Sequence, residues 1–436
     1  MIELRQIRVL AILAITMAST ACHGLLDVSD PTLIRDGDIA NAAGANSLRV
    51  NAISELFVDV LPVVQDVAMF TDEWTYDVPL ATDLTTDGLA LMDLRKSEGL
   101  ENYWGYADPH LAPLTRALWQ TSIAIPAVRT YTPDSLKGDY LGQLYGIRGY
   151  LILQMAEDIC PGFPINDVAE NHTVYGGPLT TDSAVAYASS QLDSAVKYAH
   201  DSVRFVTLAR VVKGRALLDQ GKYPEAAAMV APVLTSSVYQ TGQNFRIVMN
   251  PYQYCDGCRV TALGDSEGVN GLPFVTANDP RIPLQQVGPR QTDLNDTLYV
   301  TSLGQGDNDR LTLASGIEAR LIEAEAAVHN NQDWKSILDD LRATVGLPAL
   351  NDPGTIDGRI DLVYRERAFW LFMTGRRLGD LRRLIKNYGR TPESVFPTGV
   401  WRGGTGDSYG TATAIPFNEA DQRRYDPFIT TGCTTP

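Results

Sequence analysis

Residues 364–384 read YRERAFWLFMTGRRLGDLRRL, and this stretch decides the fold. Leading into and through it, Ile360, Val363, Ala368, Leu371 and Phe372 recur close to helical spacing. The apolar pattern breaks at Thr374-Gly375 and resumes with Leu378, Leu381, Leu384 and Ile385. Arg365, Glu366, Arg367, Arg376, Arg377, Asp380, Arg382 and Arg383 crowd the break. So many charges beside an apolar face need partners, because an unpaired buried charge is costly. Read from the residues alone, the segment is a helix–turn–helix pair with a basic outer face.

Working outward, four more stretches follow a recognisable order. They are RGYLILQMAEDICPGFPIND (148–167), TLARVVKGRALLDQGKYPEAAAMVAPVL (207–234), LTLASGIEARLIEAEAA (311–327) and AIPFNEAD (414–421). Together with 364–384 they resemble the SusD/RagB-like proteins, the outer-membrane nutrient-binding lipoproteins. The first is similar to that family's Arg-Ala-Tyr-rich helix and Gly-x-Pro loop, and the second to its tetratricopeptide-type helix pair. The third resembles its Leu-Ala-Glu helix, and the fourth its closing Phe-Pro-Ile-Pro-x-x-Glu. Residues 364–384 resemble its closing helix pair. There Thr374 stands where the family usually has Glu, Arg376 where it often has His, and Gly379 in place of an aromatic. The resemblance implies a mainly α fold, a tetratricopeptide-like helix-pair scaffold with long loop-rich insertions and little β.

The ends fit the same reading. Arg5 and Arg8 precede an apolar run from Val9 to Met17, too short to span a bilayer. STAC (19–22) then reads as a lipobox, with residues 1–21 as signal peptide and Cys22 as the lipidated residue. Residues 22–436 are expected to form one body, with loop-rich regions at 69–110, 239–310 and 387–430. No later run of about 18 apolar residues predicts a transmembrane helix. The formal net charge is −16. Such a chain repels phosphate backbones, which argues against nucleic acid.

Five cysteines are present. With Cys22 lipidated, Cys160, Cys255, Cys258 and Cys433 remain, an even number that suggests disulfides in an exported chain. CDGC (255–258) can close on itself through an Asp-Gly turn. Zinc is the rival there, but one CxxC with no histidine nearby is a poor ligand set. A bond from Cys160 to Cys433 would pin the C-terminus.

Periodicity predicts helices over 41–68, 111–131, 138–159 and 181–200, then two helix pairs. In the first pair Gly221 suits the left-handed position that ends a helix, and Pro224 the first turn of the next. Short β runs are expected at Phe245–Met249 and Thr297–Ser302.

Nothing in the chain reads as a catalytic set: HExxH and Walker motifs are absent, and the histidines are scattered. No enzyme activity, cofactor or metal is expected. Binding has better candidates. A sugar presents an apolar ring face rimmed by hydroxyls, so aromatic faces beside polar side chains suit it. TDEWTYD (71–77) and ENYWGYADPH (101–110) supply Asp72, Glu73, Trp74, Tyr76 and Trp104, and NPYQYCDGCR (250–259) adds Tyr252 and Tyr254. The resemblance implies capture of an oligosaccharide or peptide at the cell surface. It also implies delivery to a TonB-dependent SusC-like porin, with outer-membrane lipid holding the N-terminal anchor. The alternative is a lipidated tetratricopeptide-like scaffold that binds only proteins.

Overall fold

The structure, a computed structural model, describes residues 40–77, 88–96, 110–169, 172–242, 261–290, 292–303, 310–402 and 406–417. Helices dominate. The long ones are α1 (Ala42–Phe70), α3 (Leu111–Tyr131) and α4 (Asp134–Asp158), with a short α2 (Gly88–Asp93) between the first two. They continue as α5 (Thr181–Tyr198), α6 (Val203–Asp219), α7 (Tyr223–Val230), α8 (Gly316–His329) and α9 (Trp334–Ala343). The series closes with α10 (Ile356–Trp370), α11 (Arg377–Tyr388) and a single turn, α12 (Pro392–Val395). Side-chain caps fix several starts. Asn41, Thr180, Ser315, Asp333 and Thr355 each accept a hydrogen bond from a backbone N–H of the first turn.

Helices pack in chain order: α1 on α3, α3 on α4, α4 on α5, α5 on α6, and so on to α8 with α9 and α10. Then α11 returns to pack on α4 and α1. One continuous apolar core runs through this stack. The α6–α7 and α8–α9 pairs are the expected repeat. Gly221 takes φ +70° at the end of α6, Pro224 sits in the first turn of α7, and Tyr223 lies 3.8 Å, ring to ring, from His329 of α8.

A glycine stripe sets how closely α4 meets its neighbours. A Cβ on Gly142 would lie 2.6 Å from the Ala199 backbone N, and one on Gly149 2.5 Å from Leu192 Cγ. Alanine normally favours a helix by up to about 1 kcal/mol over glycine. At Gly142 the clash is with backbone, so Gly142→Ala should instead destabilise the protein by about 1–3 kcal/mol in urea unfolding. A variant as stable as the wild type would show that this close contact is not a constraint.

The described strands are short and paired in twos. β1 (Trp74–Tyr76) pairs with β5 (Thr261–Leu263), and β2 (Asp167–Ala169) with β3 (His172–Val174). β4 (Val238–Gln240) pairs with β8 (Thr312–Ser315), and β6 (Leu284–Pro289) with β7 (Thr297–Thr301). β7 coincides with the expected run at 297–302, while the run at 245–249 lies outside the described residues. One helical expectation needs correcting. Residues 312–315 are strand, and the helix starts only at Gly316. Ser315 caps that helix, and Gly316 allows the turn because a Cβ there would lie 1.9 Å from the Leu234 carbonyl oxygen.

The closing helix pair also departs from its simplest reading. Its basic face is not an outer face: Arg376, Arg377, Arg382 and Arg383 are all buried. Each finds carboxylates or carbonyls inside. Arg377 grips Asp72 with two bonds of 2.6 and 2.7 Å, and Arg367 grips Asp380 with two of 2.8 Å. Arg382 donates to the carbonyls of Ala156 and Glu157 at the end of α4. Burial raises the cost of ionising Asp380, yet Arg367 and Arg383 more than reverse this and hold its carboxyl below the usual range. Gly379 faces Glu157, whose Cδ lies 3.0 Å from where a Cβ would stand, so an aromatic neighbour there would displace this carboxylate.

The C-terminal segment is held against the end of α4. Cys160 N donates to the Ile415 carbonyl, and Ile415 N to the Asp158 carbonyl. Cys160 is disulfide-bonded. The remaining cysteines, Cys22, Cys255, Cys258 and Cys433, lie outside the described residues.

Candidate functional site

The β6–β7 hairpin builds one wall of a polar cavity. Along β7, Leu298 and Val300 turn into the protein, so Thr297 and Tyr299 share the opposite face. Both line the cavity. The connecting turn is closed by Arg290 N donating to the Asp296 carbonyl at 2.9 Å, and Asp296 N to the Asp293 carbonyl at 3.0 Å. This places Arg290 and Asp296 at the cavity as well. The segment from Leu263 to Asn278 forms the facing wall, and Arg402 completes it. The cleft is open to solvent on one side, and its volume of about 450 Å³ is within the range of small-molecule sites.

Its charges are held from behind. Arg290 is 3% exposed and donates from Nε to Asp77 at 3.2 Å. Its Nη2 has no hydrogen-bond partner among the described residues. A buried guanidinium donor left this way carries a desolvation cost until an acceptor arrives. Arg402 is exposed, and its Nη1 donates to the Asp265 carbonyl at 3.1 Å and Glu267 Oε1 at 3.3 Å. Glu267 is buried and also accepts from Tyr409 at 3.3 Å. Burial pushes its carboxyl up, against the opposing pull of Arg402 and Arg290. Asp265 spends Oδ1 on Val275 N, Thr276 N and the Thr276 hydroxyl. Asp296 spends Oδ1 on Thr297 N. Among the described residues neither Oδ2 accepts a hydrogen bond.

The residues expected to contact ligand are placed differently. Asp72, Glu73, Trp74 and Tyr76 are all buried, with Trp74 5% and Tyr76 2% exposed. A ring so covered offers no face for a sugar to stack on. Trp74 and Tyr76 lie in β1 against Leu263 and Thr261, and Tyr76 stacks on Trp401 at 6.3 Å. Asp72 is taken by Arg377 and by Leu272 N. Glu73 accepts from Met373 N, and burial pushes its carboxyl up to about 8. The 71–77 run thus supports the cavity instead of lining it: β1 pairs with Leu263 of the wall, and Asp77 anchors Arg290. Trp104, Tyr252 and Tyr254 lie outside the described residues, as does Cys22.

Residue-type reasoning passed over Arg290, Asp296, Tyr299 and Arg402. The available signal was the cluster of Asn, Asp and Pro around 278–296, set between short β runs inside the long 239–310 region. No three His, Cys, Asp or Glu side chains group as metal ligands do, among the described residues. Within the same residues no helix is long and apolar enough to cross a membrane.

No family model matches the sequence, and no curated protein does. Solved structures do match the fold. Surface glycan-binding protein A from Bacteroides thetaiotaomicron aligns with a TM-score of 0.64 at 13% identity, over 88% of this chain and 98% of that one. NanU from B. fragilis aligns with a TM-score of 0.62 at 14% identity, over 91% and 97%. A SusD-like carbohydrate binding protein from Bacteroides vulgatus aligns with a TM-score of 0.60 at 13% identity, over 79% and 83%. With its helix pairs, its returning closing helix and these alignments across most of its length, the chain has the SusD-like fold.

Proposed function

We propose that this chain is a member of the SusD/RagB-like family and works as a cell-surface glycan-binding lipoprotein. The observation that carries the reading is the 450 Å³ cavity, with Arg290, Arg402, Asp265, Asp296 and Tyr299 converging on it. Such a mixture of fixed donors, acceptors and a part-buried ring suits a polyhydroxylated ligand. It sits on a fold shared with proteins named for glycan and carbohydrate binding. In this proposal residues 1–21 are removed, Cys22 carries lipid, and the body captures glycan for a TonB-dependent porin.

Titration of the purified chain with an oligosaccharide panel tests the binding role. Tyr299→Ala should weaken the best ligand about tenfold to hundredfold, the loss typical of a stacking ring. An unchanged affinity would take the ring out of the site. Co-purification from gently solubilised outer membranes tests the partner. A large β-barrel protein should accompany the chain, and Cys22→Ser should release the chain from the membrane.

A further inference from the structure

We infer that the cavity selects neutral sugars over acidic ones, an inference that rests on the glycan-binding reading. Both cations at the cavity already have carboxylates behind them, Asp77 for Arg290 and Glu267 for Arg402. Two further carboxylates, Asp265 and Asp296, line the same space. A uronate or sialate entering it therefore meets no unbalanced positive charge. It meets instead two carboxylates at close range, and like charges so placed are repelled. The chain's net charge of −16 adds repulsion at longer range.

A neutral sugar meets the opposite situation. Each hydroxyl both donates and accepts. The unpartnered Nη2 of Arg290 needs one acceptor, and the Oδ2 atoms of Asp265 and Asp296 take donors. Sugar hydroxyls can serve all three without bringing in charge.

Calorimetric titration of the full mature chain tests this with two sets of probes. One set is neutral gluco-, manno-, galacto- and xylo-oligosaccharides. The other is oligogalacturonate and alginate oligomers of matched length. A neutral probe should bind with an affinity that added sodium chloride leaves unchanged, and the acidic probes at least about tenfold more weakly. Arg402→Gln should weaken the neutral probe about tenfold or more. Asp296→Asn should narrow the gap by improving the acidic probes. Tighter, salt-sensitive binding of an acidic probe, lost in Arg402→Gln, would overturn the selectivity while leaving glycan capture standing. Failure of both probe sets to bind would overturn glycan capture itself, and the selectivity with it.

Discussion

Replacing Arg383 with methionine should cost the fold roughly 3–5 kcal/mol, the loss typical of a buried ion pair deprived of one partner. Arg383 is 3% exposed and stands among three carboxylates. Nε and Nη2 bond Glu325 of α8 at 2.9 and 3.1 Å, Nη2 bonds Asp380 of α11 at 2.8 Å, and Nη1 bonds Asp219 of α6 at 3.0 Å. Methionine fills similar space but supplies no charge. Arg367 would still balance Asp380. Glu325, fully buried, would keep only the hydroxyls of Tyr364 and Tyr388 and a more distant Arg367. Lys335→Met offers the contrast, since it breaks a part-exposed pair with Asp339 one helical turn away. That change should cost less than about 1 kcal/mol. Urea unfolding followed by circular dichroism compares the two. Equal, small losses would mean that the buried cluster contributes little to the fold.

The same cluster shows what was legible in the sequence. Periodicity placed most helices, because an apolar stripe at helical spacing has few other uses. It also located the break at Thr374-Gly375, where Met373 and Gly375 take φ +56° and +74°. It did not say which way the arginines point, since helices returning from far along the chain supply their partners. Glu325 and Asp219 lie 58 and 164 residues from Arg383. The aromatic run at 71–77 misled for a related reason. TDEWTYD looks like a polar, ring-bearing surface loop, yet Arg377, Leu263 and Trp401 cover it from three distant segments. The cavity was visible only as two loop-rich regions, 239–310 and 387–430, because residue types encode neither the hairpin register that sets Arg290 beside Tyr299 nor the distant segment that brings in Arg402.

The protein should lose stability as pH rises from about 6.5 to 8, a window set by buried groups that hold protons in the folded state. Burial pushes the Glu73 carboxyl up to about 8 and the Asp93 carboxyl up to about 7. Burial works against a proton on His110, but Asp158 and Asp66 on either side more than reverse it and raise it to about 10. The signs agree. Glu73 and Asp93 release their protons near pH 4 when unfolded, and His110 near 6.5, so the folded chain binds more protons across the window. A raised folded pKa gives stability that is full below the unfolded value and lost as pH climbs through the folded one. Each such proton is worth about 1.4 kcal/mol per pH unit. Glu73 and His110 alone then shift stability by roughly 3 kcal/mol per unit until Glu73 is titrated. General acidic repulsion cannot mimic this, because exposed carboxylates are already ionised by pH 6. Glu73→Gln isolates one contribution: its amide carries no charge to bury. The variant should gain on the wild type steadily from pH 5 to pH 8, then keep a constant margin. Thermal melts across that range provide the measurement. A wild-type melting temperature that stays flat or rises, or a Glu73→Gln margin independent of pH, would show that Glu73 is ionised in the folded protein and stabilised by Arg377.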